Sequence, residues 1–306
     1  MIIDWAVTAA GLLVGSVVGV TGMGGGALMT TILVLLFGIP PTVAVASDLA
    51  ASIFVKPVGA IVHFKRGTVN VPLVRFLSIG SVPAAFAGAI LVNHLGRSRE
   101  VQGLIETILG GAMLVAAGGT VTKAMLTRNG GPPGASDVPI AVKPFTTIAI
   151  GALGGFIVGM TSVGSGSLVV VMLMIAYPRL SGSRLVGTDL AQAIPLVSAA
   201  AFGHFLFGEI HFGLTASLLL GSLPGVYLGA RFSAGAQDGV IRPLLVSVLV
   251  ASALKFLGAS NAWAGASAVA VLAIRLGWVL VHRETVLQKD EERAITPPPD
   301  PTAIGP

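Results

Sequence analysis

Gly19-Val20-Thr21-Gly22-Met23-Gly24-Gly25-Gly26 and, 140 residues later, Gly159-Met160-Thr161-Ser162-Val163-Gly164-Ser165-Gly166 are two versions of one stretch. The match spreads outward on both sides. Upstream, Gly11 and Gly15 pair with Gly151 and Gly155; downstream, Leu28 pairs with Leu168. After one inserted residue, Asp48-Leu49-Ala50 aligns with Asp189-Leu190-Ala191, and His63-Phe64 with His204-Phe205. Gly67/Gly208, Gly80-Ser81/Gly221-Ser222, Pro83/Pro224 and Gly88-Ala89/Gly229-Ala230 continue the series. Compositional bias toward Gly, Ala, Val and Leu produces chance matches, but it does not align Asp, His, Phe and Pro in order. The chain is therefore an internal duplication, the weak symmetry expected of membrane carriers.

The stretches between these anchors are apolar. Of 306 residues, 54% are hydrophobic and 10% charged, with a mean hydropathy of +0.91. A soluble domain carries about 25% charged residues, so an ordinary cytosolic enzyme is excluded. The absence of Cys excludes thiol chemistry. Apolar runs fall at about 5–22, 26–38, 43–64, 70–95 and 101–124, then at 143–163, 166–178, 184–207, 212–233 and 240–258, with a last one at 262–282. They are apolar on every face and lack alternation of period two, so they read as helices and not as barrel strands. The predicted fold class is an all-α polytopic membrane protein built from two repeats of five apolar segments, plus a final span. Segments 26–38 and 166–178 are too short to cross a hydrocarbon core of about 30 Å.

Basic residues set the orientation. With the linker 127–143 cytoplasmic, Lys65, Arg66, Lys123, Arg128, Lys143, Arg179, Arg184, Arg231 and Arg242 all fall inside, as do Arg283, Lys289 and Arg293 of the tail. Only Arg97 and Arg99 fall outside, which is a positive-inside pattern. An odd number of segments per repeat inverts the second repeat relative to the first. The expected organisation is a first repeat over 1–126, a cytoplasmic linker over 127–143 and a second repeat over 144–258. A last transmembrane helix over 259–282 and a disordered cytoplasmic tail over 283–306 follow. The expected location is the cell inner (plasma) membrane. Met1-Ile2-Ile3-Asp4 has no basic region of the kind that opens a cleavable signal peptide. The basic residues form no stripe, so no nucleic-acid partner is expected.

Each Gly-rich break interrupts a helix and leaves bare backbone N–H groups at the start of the next short helix. Those donors and the helix dipole favour an anion, and glycine permits close approach. In each half, the break is followed about 25 residues later by an Asp, and the next span ends in His-Phe. This layout resembles the TauE/SafE family of sulfite and organosulfonate transporters, over about residues 5–282. The resemblance implies a secondary carrier of small sulfur anions such as sulfite, sulfoacetate or other organosulfonates, working by alternating access, with one half rocking against the other. On that reading Thr21, Gly24, Gly25, Gly26, Thr161, Ser162, Gly164, Ser165, Gly166 and Ser167 supply substrate donors. The second break departs from the first by having Ser162 for Gly22 and Ser165 for Gly25.

Lys56 lies within a span and supplies a full positive charge to the same site, unless it snorkels to the nearby interface. Asp48 and Asp189 are symmetry mates with two readings: coupling groups, or N-caps near their helix starts. His63 and His204 read as titrating gates or as interfacial anchors. Gln192 and Asn93 are further polar residues that could line a path. The five His are scattered, and no metal constellation, cofactor motif or catalytic cluster is present. The expected partners are the anion and the bilayer; Gly/Ala-rich faces also allow a homodimer. An anion channel and a non-transporting assembly protein are the alternatives.

Overall fold

The computed structural model describes residues 3–21, 25–95, 99–128, 141–207, 210–232 and 238–273. Gly24, most of the linker, Arg97 and everything from 274 onward lie outside the described residues. The first repeat holds α1 (Trp5–Thr21), α2 (Gly26–Leu35), α3 (Pro41–Lys65), α4 (Val71–His94) and α5 (Arg99–Arg128). The second holds α6 (Pro144–Thr161), α7 (Leu168–Ala176), α8 (Gly182–Leu206), α9 (Phe212–Phe232) and α10 (Asp238–Phe256). A further helix, α11, runs over Asn261–Ala273. No strand occurs among the described residues. Six helices (α3, α4, α5, α6, α8 and α9) contain segments long and apolar enough to cross a membrane. Large apolar side chains such as Phe54, Ile61, Phe145 and Ile175 face outward. In water they would be a liability; in lipid they are the solvated surface.

Prolines sit inside four of these helices: Pro57 in α3, Pro83 in α4, Pro195 in α8 and Pro224 in α9. Each removes a donor and frees the carbonyl four residues earlier, a defect tolerated where neighbouring helices cover it. Pro83 and Pro224 occupy matching positions of the repeat. Pro57 and Pro195 do not, so α3 and α8 depart from symmetry near their middles.

Glycines decide which helices touch. A methyl on Gly155 would lie 2.6 Å from the Ser81 Cα, and one on Gly159 would lie 2.8 Å from the Ala85 Cα. Gly88 in turn faces Phe156 and Met160, so α4 and α6 run parallel in backbone contact. The symmetric seam joins α1 to α9. There Gly15 meets Ser222, Gly225 meets Ser16 and Gly229 meets Gly19. Gly11, Gly15 and Gly19, spaced four apart, thus form a small-residue packing stripe whose partner is a helix of the other repeat.

The inversion of the repeats is visible in α3 and α8, which are sequence mates. Gly59 near the end of α3 meets Leu190 near the start of α8. Gly187 meets His63 and Thr68, and the Asn70 N–H donates to Thr188 Oγ1 at 3.0 Å. The two copies of one helix thus cross antiparallel. The same contacts gather Lys65, Arg66, Arg179 and Arg184 at one end of the bundle. Lys143 joins them, because its N–H donates to the Tyr177 hydroxyl at 2.9 Å.

The short helices fold back on their predecessors instead of continuing them. A methyl on Gly154 in α6 would lie 2.6 Å from Val169 of α7, and one on Gly25 would lie 2.8 Å from Val18 of α1. Two matching cores result. One joins Val7, Val14, Met29, Leu33, Ala44, Ala51 and Leu218 from α1, α2, α3 and α9. The other joins Leu73, Leu77, Ile150, Val169, Val170, Leu173, Tyr177 and Leu185 from α4, α6, α7 and α8. A third core between them holds Leu49, Leu109, Met113, Val158, Leu196 and Leu249, with α5 and α10 packed on each other. The packing units are therefore not the two sequence halves: each borrows one helix from the other repeat. The two halves are thus joined through interleaved seams rather than lying side by side.

The seam makes a direct prediction. Gly155→Ala forces a Cβ into the Ser81 backbone and lowers stability in detergent by about 2 kcal/mol or more. Gly111 has no heavy atom within 4 Å of an added Cβ, so Gly111→Ala leaves the melting temperature unchanged or raises it, by up to about 1 kcal/mol equivalent. Equal melting of the two variants would contradict the seam.

Candidate functional site

α6 ends at Thr161 because the next residue turns left-handed. Ser162 has φ 58°, and its N–H still reaches the Val158 carbonyl at 2.7 Å. Gly164 at φ 118° and Gly166 at φ 96° complete the reversal into α7. The turn is closed by its own groups. The Val163 N–H donates to Thr161 Oγ1 at 3.1 Å, the Thr161 hydroxyl donates to the Ile157 carbonyl at 2.7 Å, and the Leu168 N–H reaches the Gly164 carbonyl at 2.9 Å. The Thr161 hydroxyl, expected as a ligand donor, is thus engaged in shaping the break. Both short helices start without a side-chain cap: Gly25 precedes α2 and Ser167 precedes α7. At α7 the Ser167, Leu168 and Val169 N–H groups all turn to the Gly164 carbonyl, at 3.3, 2.9 and 3.4 Å, so the turn itself takes up that helix's first donors.

The two serines that distinguish this break point at α3. Ser162 Oγ donates to Asp48 Oδ2 at 2.6 Å, and Lys56 Nζ donates to Ser165 Oγ. Asp48 and Lys56 are two helical turns apart, so the break lies lengthwise along α3. Gly26, the first residue of α2, is wedged in the same place. A methyl there would overlap the Ser162 carbonyl and lie 3.1 Å from Asp48 Oδ2. The start of α2 and the whole second break therefore meet on α3. Thr21 is the last residue of α1. Gly25 packs on Val18 rather than on the serines.

Asp48 is 5% exposed and Asp189 1%. Asp48 lies on α3 two turns before the half-buried Lys56, and Asp189 lies on α8 beside Leu190, which meets Gly59 of α3. Neither is an N-cap: α3 starts at Pro41 and α8 at Gly182, with Ser181 accepting from the Arg184 N–H. The capping reading of the two carboxylates is therefore corrected. They sit two turns inside their helices, where an ionisable side chain is costly without partners. Lys56 does not snorkel either, since its ammonium is held by Ser165.

The two histidines differ from each other. His204 is fully buried. Its Nε2 lies 3.0 Å from the Gly159 carbonyl, and its Nδ1 lies 3.2 Å from the Asn93 amide nitrogen. A carbonyl only accepts and an amide nitrogen only donates, which assigns the proton to Nε2. His204 thereby ties α8 to α4 and to the last turn of α6, and it is no interfacial anchor. His63 lies at the opposite end of the bundle, its Nδ1 2.8 Å from Thr68 Oγ1. No cluster of metal-ligating side chains occurs among the described residues.

Ser162 carries a left-handed backbone that favours glycine, the residue at the matching position, Gly22. Ser162→Gly should melt above Ser162→Ala by about 1 kcal/mol equivalent. Both should melt below the parent, because Asp48 loses its donor. Identical melting of the Gly and Ala variants would remove the strain argument.

Comparison with known proteins agrees with this architecture. The family model for the sulfite exporter TauE/SafE matches residues 7–256. The chain is 37% identical over 249 residues to the probable membrane transporter protein YjnA of Bacillus subtilis (strain 168), covering 81% of this chain and 97% of that one. It is 28% identical over 240 residues to the probable membrane transporter protein ORF9 of a Sinorhizobium species, covering 76% and 85%. No solved structure matches the chain. The matched region contains both repeats and both breaks, and the chain belongs to the sulfite exporter TauE/SafE family of multi-pass membrane transporters.

Proposed function

We propose that the protein is a secondary transporter that moves small sulfur-containing anions (sulfite, sulfoacetate or other organosulfonates) across the cytoplasmic membrane by alternating access. The observation that carries this reading is the Lys56 ammonium bonded to Ser165, on a break that also meets the start of α2. A cation beside hydroxyls and the start of α2, at the crossing of two inverted repeats, is a binding arrangement for an oxyanion. Ser162, Gly164, Ser165, Gly166, Ser167 and Gly26 form its walls. An entering anion competes with Asp48 and Asp189 for Lys56, which makes the two carboxylates the coupling groups. His204, tying the last turn of α6 to α8, and His63 at the far end are the gates. The moving bodies are the two interleaved units.

The orientation follows from the gathered cations. Lys65, Arg66, Lys143, Arg179 and Arg184 share one end of the bundle, which faces the cytoplasm by the positive-inside rule. The linker and tail lie on that side. The chain has no Cys, so single cysteines report cleanly. Pro178→Cys should react with a membrane-impermeant maleimide only after cells are opened, and Ser260→Cys should react in intact cells. The reverse labelling would overturn the orientation.

Transport is tested with purified protein in liposomes, by counterflow of labelled sulfite and organosulfonates. Lys56→Met should raise the half-saturating concentration by about 10- to 100-fold, the size of a lost charge-assisted bond. Ser165→Ala should have a smaller effect, about tenfold or less. Absence of saturable flux for every sulfur anion tried with the parent protein would overturn the proposal.

A further inference from the structure

We infer that Gln192 is a specificity-determining contact of the substrate, and that it selects small sulfonates carrying an O–H or N–H donor beside the anionic group. This inference rests on the anion-transport reading above. Gln192 has 0% exposure, yet neither its Nε2 nor its Oε1 has a partner among the described residues. Several buried hydroxyls are also unpartnered, including Thr30, Ser47, Ser81 and Thr215. A hydroxyl one bond from its own helix can turn to a carbonyl of the preceding turn, and several in this chain do, such as Ser198 onto Ile194. The longer Gln192 amide presents both ends away from that short-range solution. Leaving such an amide unpaired in a packed interior is costly, so a ligand is the natural completion.

Its position fits that role. Gln192 lies three residues after Asp189 and so on the same face of α8. Leu190, beside Asp189, meets Gly59, three residues after Lys56, at the antiparallel α3/α8 crossing. Symmetry separates scaffold from function here. The mate of Gln192 in the first repeat is Ala51, and the mate of Lys56 in the second is Val197. The helix crossing is built with small or apolar residues at both alternative positions, so packing requires neither polar group. One repeat supplies a cation and the other an amide, on facing helices.

The amide also narrows the ligand. Its nitrogen donates two hydrogen bonds, which sulfonate oxygens accept. Its oxygen only accepts, so a sulfite dianion, a sulfate or a plain alkanesulfonate leaves that atom unsatisfied. A hydroxyl- or amino-bearing sulfonate satisfies both ends. Sites built to bond a ligand hydroxyl reject the analogue lacking it far more strongly than apolar pockets reject an added methylene.

The test compares 2-hydroxyethanesulfonate with 1-propanesulfonate, in which a methyl replaces the hydroxyl. Binding is read as inhibition of counterflow and as the ligand-induced shift in melting. The parent protein should prefer the hydroxyl compound by about tenfold or more. Gln192→Met keeps the side-chain length without the polar atoms. It should bind the two compounds equally and, unliganded, melt no lower than the parent. Gln192→Leu is the second variant and should do the same. No preference in the parent, a preserved preference in either variant, or loss of folded protein in both would overturn the inference. A parent protein that responds to sulfite but to no sulfonate would also overturn the inference, whereas one that responds to no sulfur anion at all would overturn the transport reading on which it rests.

Discussion

Backbone contact between helices of opposite repeats is the constraint on which the rest of the structure depends. Lipid offers no hydrophobic drive to bring helices together, so close packing must supply it. α4 lies against α6 and α1 against α9 through glycines that have no room for a side chain. Each seam holds two helices parallel from repeats that are inverted. The short helices α2 and α7 then have one place to go, back along α1 and α6. The start of α2 and the second break are delivered against α3.

Polar chemistry is distributed unevenly on this even frame. α3 brings Asp48 and Lys56, α8 brings Asp189 and Gln192, and the second break brings Ser162 and Ser165. The matching positions of the first break, Gly22 and Gly25, have no side chain to offer. A duplicated scaffold needs only its shared residues to fold, so the unshared polar ones are free to serve a ligand. The Ser162–Asp48 and Lys56–Ser165 bonds link the break directly to α3. The interleaving of the repeats means that each of the two outer cores draws helices from both halves.

Much of this was legible in the chain. The duplication, the odd segment count and the short segments after each break lead to an inverted all-α repeat. Lys56 and the break serines were readable as candidates because charges and hydroxyls are rare in so apolar a sequence, and the structure brings them together. Other residues misled. Asp48 and Asp189 look like caps beside Ser47 and Thr188, because Pro41 and Gly182 do not advertise helix starts two turns earlier. His204 looks like an interfacial anchor because it nearly ends its span, yet Asn93 and the Gly159 carbonyl bury it. Thr161 looks like a free hydroxyl, while the turn it belongs to takes it up. Gln192 carried no signal beyond being polar; only its burial without partners sets it apart.

The sequence by itself determined the solvent, the helical class and the inversion. Hydropathy, hydrogen-bond saturation in lipid and segment parity are properties of a string, and they require no knowledge of which helix touches which. Only the tertiary structure decided that α1 pairs with α9 and α4 with α6, that the breaks turn back on themselves, and that Ser162, Ser165, Gly26, Asp48 and Lys56 converge. Those outcomes depend on backbones separated by as many as two hundred residues finding glycine opposite small residues at matching height. That is a fit between two surfaces, and neither surface carries it alone.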